Sequence, residues 1–360
     1  MSTLFPTSVV GSMPRPKYIQ DLLTLKLNEN YDEDKYKNKI NSAIKFIIQL
    51  QENIGVDEIS DGEWRRLSYI GVIADLLNGF KRSLKDGLWW HTVTEKVSFK
   101  RKNLFADEAK FVIKNTNHKV KVALPSPFLI GARMWNATDS KSAYETREEF
   151  MRGLVPYLRE GIMELSKIGV SLVQIDDPNL CLFVDPAYRN RFENPDKECE
   201  LGVELINDMV NGISGPEIGI HLCRSTGTRN RILTKNKTEG FVGKGGYEFI
   251  LPYLRKLKVD RYVLEFAHHD AGDVLILQNL PNKSKIGLGC VDVSVGVIDK
   301  AETIVERVEK VLQYVEKERL VLNPDCGFAP GNQANVSIDE AYVKLKEMTK
   351  AANFLREKYN

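Results

Sequence analysis

Short apolar runs rich in β-branched residues recur eight times along the chain, and segments of helical spacing fill the gaps between them. The runs are "TSVVGS" (7–12), "VDEISDGEW" (56–64), "KVALPSPF" (121–128), "VSLVQIDDP" (170–178), "EIGIHLCRS" (217–225), "RYVLEFAHHD" (261–270), "KIGLGCVDVSV" (285–295) and "RLVLNPDCGF" (319–328). Charged stretches such as "KYKNKINSAIKFIIQLQENIG" (35–55) and "KAETIVERVEKVLQYVEKE" (300–318) place apolar residues three and four apart. That alternation predicts helices covering a parallel sheet. Eight such units predict an α/β chain folded as a (β/α)8 TIM barrel, with its chemistry at the C-terminal ends of the strands. An open doubly wound sheet satisfies the same pattern. At 360 residues, one barrel domain (1–360) accounts for the whole sequence.

Two segments depart from the alternation. Residues about 80–120 alternate apolar and polar side chains and read as a strand-rich insertion after the second strand, either a hairpin lid or a dimer contact. Residues about 226–247 form a loop insertion rich in Gly, Thr, Lys and Arg directly behind the Cys223 run. A long loop at that face of a barrel contacts substrate or closes over it. Its basic residues, with Arg224, Arg229, Arg231, Lys235, Lys237 and Lys244 nearby, read either as a solvated loop or as an anion site.

Composition narrows the function. A net charge of +2 with 28% charged residues lacks the basic excess that nucleic acid requires, and no run reaches the roughly 18 apolar residues of a membrane span. The N-terminal "MSTLFPTSVVGSMPRP" has neither the charged start nor the long apolar core of a signal peptide, so a cytoplasmic location is expected. The five cysteines are scattered and odd in number, unlike a disulfide framework, so free thiols are expected.

In a barrel the polar residues at the strand ends converge. In chain order these are Ser12, Asp61, Glu63, Ser126, Asp176, Asp177, His221, Cys223, Glu265, Asp292, Asp325 and Cys326. One His, two Cys and one Glu among them form a donor set that suits a tetrahedral Zn²⁺ shell. His221 and Cys223 sit two apart on one strand and so face one side. A His-x-Cys pair is equally the pattern of a packed strand, where buried cysteine is a small apolar filler; Cys181, Cys199 and Cys290 are assigned to packing. His268 and His269 follow Glu265 and read either as substrate contacts or as a solvated loop pair.

These motifs, in this order, resemble the catalytic barrel of cobalamin-independent methionine synthase and its stand-alone relatives. The resemblance rests on "VVGSMPRP" (9–16), "DGEWRR" (61–66), "VQIDDP" (173–178), "HLC" (221–223), "LEF" around Glu265 and "NPDCG" (323–327). It implies zinc held by His221, Cys223, Glu265 and Cys326, with Glu265 as a displaceable ligand. It also implies that Ser12 and Glu63 hold the amino-acid end of homocysteine, and that Asp176 contacts its ammonium. The amides around Gly11 and Ser12 would take the carboxylate. A free thiol, with a pKa near ~8.5, is mostly protonated at neutral pH, and zinc coordination would ionise it.

Departures from the family bear on the methyl donor. The full-length synthases carry a second, N-terminal barrel that helps bind folate polyglutamate, and this sequence has no room for one. Where they place a histidine two residues after the aspartate of the seventh strand, this sequence has Asp292, Val293, Ser294. A serine is a poor general acid. A methylcorrinoid protein as donor fits that loss better than methyl-folate, unless His268, His269 or Asp292 supplies the proton. The zinc-dependent epoxyalkane:coenzyme M transferases resemble this chain too, but their thiol carries a sulfonate. Glu63 and Asp176 favour an ammonium-bearing thiol. Three further expectations are a non-catalytic zinc or thiol-binding protein as the alternative of another class, a metal-free decarboxylase-like barrel should the His and Cys residues not converge, and a homo-oligomer as the assembly left open.

Overall fold

The computed structural model describes residues 3–27, 31–85, 88–224, 242–329 and 336–360. Its strands are β1 (Glu58–Ile59), β2 (Leu77–Lys85), β3 (Leu88–Phe99), β4 (Lys119–Pro125), β5 (Leu172–Asp176), β6 (Glu217–Leu222), β7 (Arg261–Glu265), β8 (Lys285–Val291) and β9 (Leu320–Pro324). Seven of them make a parallel sheet in the order β1-β4-β5-β6-β7-β8-β9. Residues 7 and 8 bridge both edges of that sheet, Thr7 to Leu322 of β9 and Ser8 to Glu58 of β1, both in parallel. The Ser8 amide donates to Leu322 O at 2.9 Å and the Glu58 amide to Thr7 O at 2.9 Å. The curled sheet therefore meets itself through the N-terminal segment, an arrangement that fits a TIM-barrel-like fold.

The predicted runs and the observed strands coincide at seven positions. The first run makes isolated bridges instead of a ladder. Pro6 has no amide hydrogen to give, and the chain leaves the sheet by Ser12, whose carbonyl accepts from Phe328 N.

Helices flank the sheet because their sequences carry one apolar face. Helix Glu33–Ile54 starts at Asp32, whose side chain accepts from Lys35 N, and stops at Gly55 with φ 92°. It buries Ile40, Ile44, Ile47 and Ile48. Helices Arg147–Lys167, Pro195–Val210, Ala301–Val311 and Ile338–Tyr359 continue the ring. After β7 the chain forms two 3-10 turns, His269–Ala271 and Val274–Asn279, in place of an α-helix.

The 80–120 segment is half as expected. β2 and β3 pair antiparallel as a hairpin, and its root packs on helix Arg147–Lys167 through Phe99 against Tyr157, ring centroids 4.8 Å apart. Residues Leu104–Lys114, however, form a helix and not a strand. Leu104, Phe105, Ala109 and Val112 are buried at helical spacing, and that periodicity wins over the alternation that precedes it. Most of the 226–247 insertion lies outside the described residues. No described helix is long and apolar enough to cross a membrane.

The N-terminal ends of the strands hold an ionic floor. Arg261 donates to both carboxylate oxygens of Glu58, at 2.6 and 2.9 Å, and through Nε to Glu217 at 2.5 Å. Lys285 reaches the other Glu217 oxygen at 2.7 Å. These groups sit at the first residues of β1, β6, β7 and β8, so the floor ties the closing seam to the far side of the sheet.

A candidate metal and substrate site at the strand ends

At the opposite ends of the strands, His221, Cys223 and Cys326 come together. The ligand atoms of all three lie within 4.8 Å of one another, and all three residues are buried. Neither ring nitrogen of His221 makes a hydrogen bond, although both are shut off from solvent. A buried polar atom left unpaired is costly, and a metal ion supplies the missing partner. The spread suits three donors around one ion, since Zn–N and Zn–S bonds run about 2.0–2.3 Å. The Cys326 thiol, with the His221 ring adding to it, pulls Cys223 far down against the effect of burial, and Cys326 is pushed up in turn. A thiol pulled toward ionisation beside an imidazole suits a metal, whose ligands bind deprotonated.

Strand register explains the neighbour of this group. Asp176 at the end of β5 is the register partner of His221 on β6. Burial pushes Asp176 up to about 6, opposed by His221 and by Gln174, whose amide donates to Asp176 Oδ1 at 2.7 Å. Asp177 turns the other way: it caps the short helix Pro178–Cys181 and accepts from Ser126 Oγ at 2.6 Å. Both Asp177 and Ser126 are therefore structural.

Glu63 reaches the site from a strained turn. After Gly62 at φ 68°, Glu63 itself has φ 57°, a left-handed conformation that non-glycine residues seldom take. The Asp61 side chain accepts the Glu63 amide at 2.8 Å, and Arg15 donates to Glu63 O at 2.9 Å and to Ala329 O at 2.5 Å. Burial pushes the Glu63 carboxyl up to about 7, with Asp176 adding to the effect and Arg66 opposing it. Gly11 and Ser12 complete this side: Ser12 Oγ accepts from Ala329 N at 3.1 Å, and Gly327 leaves room for that hydroxyl.

Glu265 is the predicted ligand that stands apart. It is fully buried at the end of β7, yet among the described residues the converging group is the three named above. Its Oε2 accepts the Arg224 backbone amide at 2.8 Å. The Arg224 guanidinium is also buried and donates to Gly245 O, Ala271 O and Tyr247 Oη, so this residue knits two loops together and does not belong to an anion site. Asp325 organises the neighbouring loop by accepting the amides of Phe266 and Ala267, both at 2.9 Å, and of His268 at 3.2 Å.

The predicted acids occupy loops beyond the strand ends. His268 Nδ1 accepts from Asp270 N at 3.3 Å. Asp292 Oδ1 accepts from Ser294 N at 2.7 Å, and the buried Lys344 ammonium donates to Asp292 O and Ser294 O, each at 2.9 Å. The His269 side chain is outside the described residues. Sequence reasoning missed Tyr69, which burial pushes up and which feels both thiols and Asp176. It missed Arg15 and Lys344 as well. The carbonyls that accept from them, Glu63 O and Ala329 O for Arg15 and Asp292 O and Ser294 O for Lys344, are far away in the chain and leave no motif.

Comparison with known proteins follows the same lines. A family model described as cobalamin-independent synthase, catalytic domain, matches residues 5–354. Methionine synthase of Pyrococcus horikoshii is 28% identical over 361 residues, covering 98% of this chain and 94% of that protein. Methionine synthase of Saccharolobus islandicus is 26% identical over 362 residues, covering 98% and 96%. Among solved structures, a B12-independent methionine synthase from a Shewanella species, in complex with selenomethionine, superposes with a TM-score of 0.79 at 24% identity, covering 99% of this chain and 98% of that one.

Proposed function

This chain belongs to the cobalamin-independent synthase family, catalytic domain, and on that premise we propose that it moves a methyl group onto the thiol of homocysteine to give methionine. The carbon–sulfur bond forms as the donor–methyl bond breaks, and the thiol proton is lost. We read the chain as one (β/α)8 barrel domain acting in the cytoplasm, with zinc as its metal. The observation that carries the reading is the buried His221 ring, unpaired at both nitrogens and facing two thiols.

His221, Cys223 and Cys326 would hold the zinc, with Glu265 as the fourth, exchangeable ligand. Bound there, the metal supplies the Lewis acidity that keeps a substrate thiol ionised at neutral pH. The chain's own residues fix the rest of the substrate. Both carboxyls are buried, and the Asp176 charge adds to the difficulty of ionising Glu63. An ammonium relieves that repulsion and a sulfonate worsens it, which favours homocysteine over coenzyme M. Ser12 and the amide after Gly11 take the substrate carboxylate.

The donor is a methylcorrinoid protein or a methyl-folate. A folate nitrogen needs a proton as it leaves, and His268 and Asp292 are the groups assigned to give it; a corrinoid needs none. The test is zinc content together with zinc-edge X-ray absorption before and after each thiol. One zinc per chain that gains a sulfur neighbour with homocysteine, and turnover with one of the two donors, supports the proposal. Zinc-free protein from a chelator-free preparation, or saturable thiol binding without turnover on either donor, refutes it.

A further inference from the structure

Glu63 and Gly11 also line a small pocket that the reading above does not fill. It is lined by Ser60, Asp61, Glu63, Arg66, Ala109 and Lys121, among others, and leaves about 10 Å³ open to the centre of a water molecule. Two of its wall atoms are carboxylate oxygens shut off from solvent without a hydrogen bond, Asp61 Oδ2 and Glu63 Oε2. Both residues are at least nine-tenths buried. The other polar groups are only partly committed. Arg66 gives Nε and Nη2 to Glu108 and one Nη1 hydrogen to Ala123 O at 2.7 Å, which leaves two of its five N–H groups. Lys121 gives two hydrogens, to Ser8 Oγ and Val9 O, and has a third only while protonated.

Two orphan acceptors, spare donors and room for one small molecule are the requirements of a buried water. We propose that this pocket binds a single structural water, which donates to Asp61 Oδ2 and Glu63 Oε2 and thereby holds Glu63 in place for the ammonium end of the substrate. An empty pocket would leave two carboxylate oxygens desolvated against one another. The water turns one Glu63 oxygen inward and keeps the other, Oε1, beside Gly11. Asp61 and Arg66 then act as positioning residues, working through the water on the carboxylate that meets substrate. The second half of this inference rests on the homocysteine reading; the water itself does not.

The experiment is a crystal structure at high resolution of the zinc-loaded protein and of Ala109→Val, with the homocysteine KM of each. Ala109 is buried and lines the pocket from helix Leu104–Lys114. The expected result is one peak in the wild type at about 2.7–3.0 Å from both oxygens, lost in Ala109→Val, with KM raised about tenfold, the loss of one buried hydrogen-bonding partner, and zinc content unchanged. Should that variant not fold, Val112→Ile narrows another wall of the pocket. An empty pocket overturns the proposal, as does a cation with contacts near 2.4 Å. A peak whose loss leaves KM unchanged overturns the positioning role. If the wild type binds no homocysteine, the functional reading falls, and the peak alone decides the water.

Discussion

A Cβ atom on residue 11 would stand 2.5 Å from Glu63 Oε1, so Gly11 and Glu63 share one space at the mouth of the sheet. Gly11 has ordinary backbone angles. Its lack of a side chain is a matter of room and not of conformation, and the room is taken by the carboxylate proposed to meet the substrate.

Gly11→Ala should therefore act as a Glu63 variant without changing Glu63. Crowding of this kind costs about 1–3 kcal/mol, and here it falls on one carboxylate. Homocysteine affinity should drop by about tenfold or more while zinc stays bound. Calorimetric titration of homocysteine into the zinc-loaded variant reads this directly, and an unchanged Kd would separate Gly11 from substrate binding.

Homocysteine affinity should also depend on pH through Glu63. Burial holds this carboxyl near 7, and only its ionised form attracts an ammonium. Affinity should be fully present above about 7 and fall as pH drops below it. Glu63→Gln should weaken binding and flatten this limb. A thiol without an amino group should bind both proteins alike at every pH, which separates the carboxyl from titration of the thiol.

Replacing a proposed metal ligand should remove chemistry and leave the fold. His221→Ala and Cys326→Ser should each lower zinc affinity by more than about 100-fold, beyond the loss typical of groups that only support a ligand, and abolish methyl transfer. Melting of the metal-free variants should match that of metal-free wild type, because the core around the strands is apolar and complete without the ion. Elemental analysis and thermal melts measured together decide this.

The ionic floor predicts an acid limit to stability. Burial alone would raise Glu58, but its bonds and charge interaction with Arg261 outweigh it and hold the carboxyl at about 2, against an ordinary 4.5. The folded value is depressed, so the contribution, about 3 kcal/mol from that difference, is present above about 4.5 and is lost as pH falls toward 2. Lys121, which burial and Arg261 push down to about 7, titrates outside this window. Glu58→Gln should be less stable at neutral pH and should lose less on acidification. Urea unfolding at pH 7, 4 and 3 tests the slope.

Much of this was legible because barrels repeat. Each stave must bury apolar residues on both sides, so a run such as "LVQID" announces itself, and its last polar residue falls at the catalytic face. His221, Cys223 and Cys326 were readable by type and place. The Arg224 tether on Glu265 was not, since a backbone amide is the donor and any residue has one. The Glu63 strain was equally silent: the sequence offers glycine at 62 and then asks a glutamate to adopt a glycine's backbone. Helix Leu104–Lys114 was missed because it follows a hairpin whose alternation dominates the window.

The seam formed by residues 7 and 8 sets an order of events. Leu322, to which the Ser8 amide donates, is made only after nearly all of the other strands. Contacts this distant in sequence are slow to form, because a long chain must be gathered before they yield anything. During synthesis the N-terminal segment waits, unpaired on one side, until β9 has left the ribosome. Ser12 and Glu63 lie just beyond that seam and Cys326 just past β9, so the group of His221, Cys223 and Cys326 is completed only when the sheet closes on itself.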